Sequence, residues 1–348
     1  LGNMAFKKLL ERFGEPAEVF RAGPRDLAQV EGLRKQVAQG ITDRRFSQDP
    51  ETVLRDLEKH GAGFLVFSDP TYPEPLREIH DPPMVLYTKG LPIPGKTTFV
   101  AVVGSRNSTP YGVKTAENLA QGLARRGLGI VSGLARGIDS AAHWGCLEGR
   151  GFSVGVLGTG IDSVYPPSNK KLFEVMAEKG AVITEFPLKT PPEPKNFPIR
   201  NRLISALSRG VIVVEATMKS GSLITASVAL EQGREVFAVP GSVHSFKSQG
   251  CHFLIKQGAK LVENADDVLD ELGLNYAYAP KKDSYTEPLL PPLEDHEKKV
   301  YDLLGDYPVH IDDIVREGNM EPGTASAVLM RMELKGIVRQ LPGKLFVR

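Results

Sequence analysis

Residues 99–106 of the chain read FVAVVGSR, an apolar run of five residues that ends in a turn carrying a glycine, a serine and an arginine. No polar residue alternates within the run, which is typical of a strand buried on both faces, as in a parallel sheet. The turn would then stand at the carboxyl end of that strand, where α/β sheets bind their ligands. This segment therefore predicts both the fold class and the sheet edge at which function should be sought.

The same kind of run recurs six times downstream, separated by stretches with helical spacing. The six runs are residues 128–131, 153–157, 181–184, 211–214, 235–239 and 260–262. Strands that alternate with helices predict an α/β fold with an extended, Rossmann-like, doubly wound and mostly parallel sheet. Two shorter strand candidates, residues 63–67 and 84–87, precede these runs, and the whole domain is predicted to span residues 61–274.

Three segments flank the predicted sheet domain. Residues 1–60 show helical periodicity interrupted by glycine and proline, which predicts a small helical domain. Residues 275–292 are rich in proline, and we predict a linker there. Residues 293–348 combine three helical patterns with two short strands that turn at Pro342-Gly343, which predicts a winged helix. Its ten acidic residues outnumber its eight lysines and arginines, so a packing or regulatory module is an alternative to the usual binding of a DNA groove.

Composition excludes several classes of protein. The 348 residues carry 43 lysines and arginines against 42 aspartates and glutamates, so the net charge argues neither for nor against a nucleic-acid partner. The two cysteines are too few for a disulfide framework and lack metal-ligand spacing. No apolar run reaches transmembrane length and no signal-peptide pattern opens the chain, so we expect a cytoplasmic protein without a membrane segment.

Three predicted strand ends carry glycine-rich turns whose backbone N–H groups could cradle phosphates. The turns contain Gly104-Ser105-Arg106, Ser132-Gly133 and Ser220-Gly221-Ser222. Any turn from a strand to a helix can require glycine for its backbone conformation, so each turn taken alone is also consistent with a purely structural role. The three together favour a phosphate-binding edge.

A basic segment with an aromatic residue, residues 195–202, reads KNFPIRNR. Pro198 suits the first turn of a helix, and Arg200 and Arg202 would then lie near a helix N-terminus, which favours anions. Phe197 beside them could stack on a base. The alternative is an ordinary amphipathic helix whose arginines face water. If the segment binds a ligand, alanine at either arginine should weaken binding without unfolding the protein.

No motif of a nucleotide-dependent enzyme is complete. Gly158-Thr159-Gly160 lacks the third glycine of a dinucleotide fingerprint, and Lys219-Ser220 lacks the glycines of a phosphate-binding loop, so no cofactor is predicted. Asp139 and His143 lie four residues apart without a nucleophile beside them in sequence, which favours a structural role. Glu215, at a predicted strand end, could act as a general base, hydrogen-bond a base edge or brace a loop.

Taken in order, these motifs resemble the DNA-processing protein A (DprA/Smf) family. The matching signatures across residues 99–272 are Val103-Gly104-Ser105-Arg106, residues 132–139, residues 165–169, Phe197-Pro198-x-Arg200-Asn201-Arg202, Val214-Glu215-Ala216, residues 220–226 and residues 233–241. The N-terminal helices resemble that family's sterile-alpha-motif-like or helix-hairpin-helix region. The C-terminal segment resembles its winged-helix domain.

The resemblance implies a protein without catalytic activity that binds single-stranded DNA, protects incoming DNA and loads the recombinase RecA during natural transformation. It implies a homodimer through the Rossmann-like domain and suggests single-strand-binding protein as a further partner. The DNA contacts it implies are Gly104, Ser105, Arg106, Ser132, Gly133, Lys195, Phe197, Arg200, Asn201, Arg202, Ser220, Gly221 and Ser222. Lys189 is an alternative to Lys195.

An enzymatic alternative comes from a second resemblance. The same kind of sheet, with Glu215 and a phosphate-binding glycine turn, resembles the lysine-decarboxylase-like phosphoribohydrolases, which cleave nucleoside monophosphates. The chain lacks their Pro-Gly-Gly-x-Gly-Thr turn. An assay for nucleoside monophosphate hydrolysis separates the two functions.

Overall fold

The structure, a computed structural model, describes residues 2–46, 48–274, 293–305 and 308–347. The chain forms two compact units. The first holds the N-terminal helices and a nine-stranded sheet, and the second holds the C-terminal winged helix. The linker predicted at residues 275–292 lies outside the described residues.

Short helices open the first unit, where the sequence predicted them. They are α1 Asn3–Phe13, α2 Pro16–Arg21, α3 Pro24–Leu27, α4 Lys35–Thr42 and α5 Pro50–Lys59. Three of them begin at a proline, which suits the first helical position because its missing N–H has no intrahelical partner there. Helices α1 to α4 share a small core that includes Leu9, Val19 and Leu27. Helix α5 instead contributes Leu57 to a core with Leu134 and Met176 of the sheet region, so it packs with the sheet.

The sheet contains all the strands predicted from the apolar runs. The strands are β1 Gly63–Val66, β2 Val85–Gly90, β3 Phe99–Val103, β4 Gly129–Ser132, β5 Ser153–Val156, β6 Ala181–Thr184, β7 Gly210–Val213, β8 Glu235–Ala238 and β9 Lys260–Leu261. Their order is β1-β2-β6-β5-β4-β3-β7-β8-β9. Strands β3 to β9 are mutually parallel, whereas β1 and β2 join in antiparallel pairs. The predicted doubly wound, mostly parallel sheet is therefore confirmed.

The strand order reverses at β3. From β3 the chain proceeds through β4 and β5 to β6 on one side, then returns to place β7, β8 and β9 on the other. The residues of β3 are buried throughout, as expected for a central strand covered on both faces. The remaining helices of this unit are α6 Glu74–Arg77, α7 Pro110–Arg125, α8 Ile138–Glu148, α9 Lys170–Lys179, α10 Asn196–Ala206, α11 Gly221–Glu231, α12 Gln249–Lys256 and α13 Ala265–Glu271. Such a reversal opens a crevice at the carboxyl ends of the adjacent strands.

The C-terminal unit is the predicted winged helix. Its elements are α14 Asp295–Leu303, β10 Val309–His310, α15 Ile311–Gly318, α16 Pro322–Leu334, β11 Arg339–Leu341 and β12 Leu345–Val347. Val300, Ile314 and Leu329 form its core together with Phe346. The Arg331 side chain of α16 pairs with Glu294 inside the same unit, at 3.3 Å. Across the described residues of both units, no helix is long and apolar enough to span a membrane.

Candidate nucleic-acid interface

An open cavity of about 480 Å³ lies at the strand-order reversal, above the carboxyl ends of β3, β4 and β7. We call this edge the crest and define it by the turns 104–106, 133–136 and 220–222 and by the start of α10. Of the thirteen residues predicted as DNA contacts, nine line this cavity: Gly104, Ser105, Arg106, Phe197, Arg200, Asn201, Ser220, Gly221 and Ser222. The fold thus gathers three turns and one helix that are far apart in sequence.

A second cavity of about 320 Å³ adjoins the first on the side of β4 and β5. The two share Arg106, Tyr165 and Phe197, and Gly133 lines the second. The Arg106 guanidinium carbon lies 4.8 Å from the centre of the Phe197 ring, a cation–π contact. The Tyr165 ring lies 5.7 Å from the Phe197 ring with planes 37° apart. The Phe197 ring therefore contacts both an arginine and a second aromatic ring where the two cavities adjoin.

The N-terminus of α11 supplies the anion-binding part of the first cavity. The earliest N–H groups of a helix have no intrahelical partner, and the helix dipole favours negative charge there. The Ser220 and Ser222 hydroxyls lie 2.8 Å apart at this end. A Cβ atom on Gly221 would meet nothing within 4 Å, so its backbone is open to a ligand. The exposed Arg106 lines the same cavity, which can therefore hold a phosphate by charge-assisted hydrogen bonds.

Arg200 differs from the expectation of a free, ligand-facing arginine. It is only 3% exposed, and its Nη1 donates to the carbonyl oxygens of Val156 and of Gly133, the latter at 2.8 Å. Burial lowers the pKa of Arg200 to about 10, so it stays charged at neutral pH. A Cβ on Gly133 would lie 2.6 Å from Arg200 Nη2 and 2.7 Å from Asp139 Oδ2. The guanidinium therefore anchors the turn after β4, and only glycine fits beside it.

Asp139 and His143 have the structural roles that the sequence favoured. The Asp139 carboxylate accepts the N–H groups of Gly133 at 3.1 Å and of Ala135 at 3.4 Å, and so fixes the turn after β4. Burial raises the pKa of Asp139, while the nearby Arg200 charge opposes that shift. His143 is fully buried with Nδ1 2.8 Å from Ser153 Oγ, and burial lowers the pKa of His143 to about 3. A neutral, enclosed imidazole does not face the cavity.

Three predicted contacts lie outside both cavities. Ser132 is fully buried, and its hydroxyl donates to Val102 O at 2.6 Å, inside the sheet. Arg202 Nη2 donates to Glu185 Oε2 at 2.8 Å and lies 3.4 Å from an Asp81 oxygen, so its charge is already paired. Lys195 is exposed at the N-cap of α10 and pairs with Glu193 at 2.6 Å. The free arginines expected at residues 200 and 202 are therefore, respectively, buried and paired.

The structure adds cavity residues that the sequence reasoning did not select. The main additions are Tyr165, Ala135, Arg136, Pro192, Pro194 and Thr225. Tyr165 belongs to a signature that carried the family resemblance, but its place beside Phe197 depends on the fold and not on spacing. Glu215 is 2% exposed and is not among the lining residues of either cavity. Within the described residues, no three His, Cys, Asp or Glu side chains could together hold a metal ion.

Two family models match the chain. The family model of DNA recombination-mediator protein A matches residues 63–273, which cover the sheet and its crest. The chain belongs to the DNA recombination-mediator protein A family. The DprA winged helix domain matches residues 285–344. The resemblance drawn from the sequence motifs is thus confirmed for both regions.

Individual relatives of this recombination-mediator family cover most of the chain. Protein Smf of Synechocystis sp. is 35% identical over 380 residues, which span 100% of this chain and 96% of that protein. The X-ray structure of DNA processing protein A from Streptococcus pneumoniae has a TM-score of 0.70 at 42% identity and covers 78% of this chain and 93% of its own. The structure of a Helicobacter pylori DNA processing protein A, described as binding single-stranded DNA, has a TM-score of 0.55 at 30% identity. It covers 62% of this chain and 97% of its own.

Proposed function

We propose that this chain is a single-stranded DNA-binding recombination mediator that works in the cytoplasm, protects incoming DNA and loads RecA during natural transformation. The observation that carries the proposal is the crest, where Arg106, the Phe197 ring and the N-terminus of α11 converge on one open cavity. The family assignment and the single-stranded DNA binding described for the Helicobacter pylori relative support it.

The crest suits a single strand better than a duplex. Phosphates can be held by Arg106 and by the N–H groups of Gly221 and Ser222, while an unpaired base stacks on an aromatic ring. Aromatic stacking tolerates every base, so we expect little sequence preference. Because each phosphate contact releases counterions, affinity should fall as salt rises.

The thirteen proposed contact residues divide into two roles by their surroundings. Those that line the first cavity and are proposed to touch DNA are Gly104, Ser105, Arg106, Phe197, Asn201, Ser220, Gly221 and Ser222. Those proposed to position them are Ser132, Gly133, Arg200 and Arg202, whose polar groups or backbone are engaged within the protein. Lys195, exposed at the start of α10, is proposed as a phosphate contact at the rim.

We propose that this protein is not an enzyme. Glu215, the one candidate base of the phosphoribohydrolase alternative, is buried away from the cavity lining, and Asp139, which lines the first cavity, uses Oδ2 to accept two backbone N–H groups of the turn after β4. Release of a free base from a nucleoside monophosphate, lost in Glu215→Gln, would favour the enzymatic alternative.

We further propose a homodimer, with RecA and single-strand-binding protein as partners. A single crest makes few contacts, whereas two crests in one dimer make the second binding event intramolecular. Affinity can then rise about a hundredfold without new contacts. Light scattering at micromolar concentration tests the dimer, and a monomer mass would contradict it.

Two experiments test the proposal. A gel shift should show tighter binding to a single-stranded oligonucleotide than to a blunt duplex of the same length and salt; equal or tighter duplex binding would contradict the single-strand preference. A strand-exchange assay on DNA coated with single-strand-binding protein should show faster RecA nucleation when the protein is added. No acceleration there would contradict the mediator role even if single-stranded DNA binds.

A further inference from the structure

The binding features of the crest follow the order of the strands. The second cavity lies at the turn after β4 and reaches Tyr165, which follows β5. The first cavity lies at the turns after β3 and β7. The next strand in the sheet is β8, and between it and α12 lie residues 241–248, which we call the β8 loop. A single strand of DNA lying along the crest would reach this loop about 10 Å beyond the turn that carries Arg106, because β8 lies two β-strand spacings from β3.

Hydrogen bonds fix the β8 loop beside the crest. Ala216 N, in the turn after β7, donates to Lys247 O at 2.9 Å. Lys247 Nζ donates to the carbonyl oxygen of Asn107, the residue after Arg106, at 2.7 Å. At the other end of the loop, His252 Nε2 lies 3.0 Å from Gly241 O. The loop is therefore tied both to the turn after β7 and to the turn that carries Arg106.

The β8 loop exposes an aromatic ring next to positive charge. Phe246 is 63% exposed and Val243 is 78% exposed, so neither side chain is packed in a hydrophobic core. Lys247 uses one of its three donors on Asn107, and Lys219 in the turn after β7 is exposed. Neither the β8 loop nor residues 216–220 contain an acidic residue. The loop therefore places an exposed aromatic ring and a lysine next to each other in sequence, beside the crest and without a nearby acidic residue in these two segments.

We propose that the β8 loop extends the single-strand interface beyond the two cavities. Phe246 stacks on a base, and Lys247 with Lys219 contacts the adjoining phosphates. The occupant is the same DNA strand because the loop is continuous with the crest and shares its positive, aromatic character. This inference rests on the proposed function and adds to it a further stacking position and a direction along the sheet, from β5 towards β8.

The test compares short and long oligothymidylates by fluorescence anisotropy with the full-length chain. The short strand has about four nucleotides and the long one about twelve, within the range of single-strand site sizes. The variants are Phe246→Ala, Phe197→Ala as the reference within the crest, and Phe64→Ala as the matched control. Phe64 is 44% exposed on β1, at the far edge of the sheet. Phe246 is exposed, so its removal should leave the melting temperature unchanged.

We expect Phe246→Ala to weaken binding of the long strand about fivefold or more and to leave the short strand unaffected. Phe197→Ala should weaken binding of both the short and the long strand, and Phe64→Ala should change the binding of neither. Lys247→Gln should lower the salt slope for the long strand by about one, as expected for a lost phosphate contact. Ultraviolet cross-linking of the long strand should place a thymine on Phe246.

The outcomes separate the inference from the proposed function. Phe197→Ala could weaken binding of both oligonucleotides while Phe246→Ala and Lys247→Gln change neither affinity nor salt slope. In that case the DNA strand does not pass over the β8 loop, and the inference fails while the proposed function stands. If Phe197→Ala and Phe246→Ala both leave the two affinities unchanged, the proposed interface itself fails, and the inference fails with it.

Discussion

Arg106 and Arg200 line the same cavity but occupy opposite physical environments. Arg106 is exposed and rests on the Phe197 ring, whereas Arg200 is buried and donates to two backbone carbonyls. An exposed guanidinium can exchange water for a phosphate at little cost to stability. A buried one contributes to the fold, because its loss leaves carbonyl groups without partners.

Arg106→Ala should weaken single-stranded DNA binding and leave the melting temperature unchanged. Loss of one phosphate contact should also lower the salt slope of binding by about one. Anisotropy titrations across a salt series measure both quantities. Arg55→Ala, at an exposed arginine of α5, is the control and should change neither. An unchanged dissociation constant for Arg106→Ala would remove this residue from the interface.

Arg200→Met should lower the free energy of unfolding by about 1–3 kcal/mol, because the Gly133 and Val156 carbonyls lose a buried donor. Urea unfolding provides the measurement. Arg136→Met, at an exposed arginine of the second cavity, should stay within about 0.5 kcal/mol of the unchanged protein. Normal stability of Arg200→Met combined with lost DNA binding would instead assign Arg200 to direct contact.

The contribution of His143 to stability should fall as pH drops from 6.5 to 4.5, while the raised pKa of Asp139 acts in the opposite direction. Burial lowers the pKa of His143 from 6.5 to about 3, so the unfolded chain binds a proton in this window that the folded chain does not. The stabilisation is fully present above pH 6.5 and is lost as pH falls towards 3. Carboxyl groups with lowered pKa, such as Glu31 and Asp49, act only below their ordinary values of 4.5 and 3.8.

Urea unfolding at several pH values, compared with His143→Asn, tests this pH dependence. The asparagine amide can keep the hydrogen bond to Ser153 but has no proton to gain. A variant with the same slope between pH 6.5 and 4.5 would show that other groups cause the loss.

In the turn after β4, close packing against Arg200 and Asp139 favours glycine at position 133. Gly133→Ala should destabilise the protein and weaken DNA binding, since the new methyl group would lie within 2.8 Å of the Arg200 guanidinium and of Asp139. Gly95→Ala is the matched control, in the exposed segment between β2 and β3 and outside both crest cavities, where a methyl group meets nothing within 4 Å. Thermal unfolding and anisotropy should separate the two variants; equal melting temperatures would mean that the Arg200 side chain can move aside.

The elements themselves could be predicted because their signals are local. An unbroken apolar run such as residues 99–103 indicates a buried strand within five residues, and Pro198 indicates the start of α10. The direction of the Arg200 side chain could not be predicted in this way. Its partners at Gly133 and Val156 precede it by 67 and 44 residues, so only the strand order brings them together. For the same reason the sequence did not select Tyr165 as a partner of Phe197.

For the whole molecule, we expect the first unit to bind DNA without the winged helix. Removing the residues after Pro292 should leave single-stranded DNA affinity largely intact, because the crest lies within the first unit and α16 has its Arg331 paired with Glu294. Gel shifts with the truncated and full-length proteins measure this. Loss of most of the affinity in a truncated protein with a normal melting transition would make the winged helix the main DNA-binding element.

The reversal of strand order at β3 also has a consequence for protein synthesis. The central pairing joins β3 to β7, with Val103 opposite Val213, more than a hundred residues later. Until that pairing forms, the turn with Arg106 and the helix that begins at Gly221 are separate pieces of chain, and non-local contacts of this kind form slowly. A nascent polypeptide therefore has no complete crest until residues beyond α11 have left the ribosome. Under the proposed function, the crest can therefore bind DNA only after this unit has been translated.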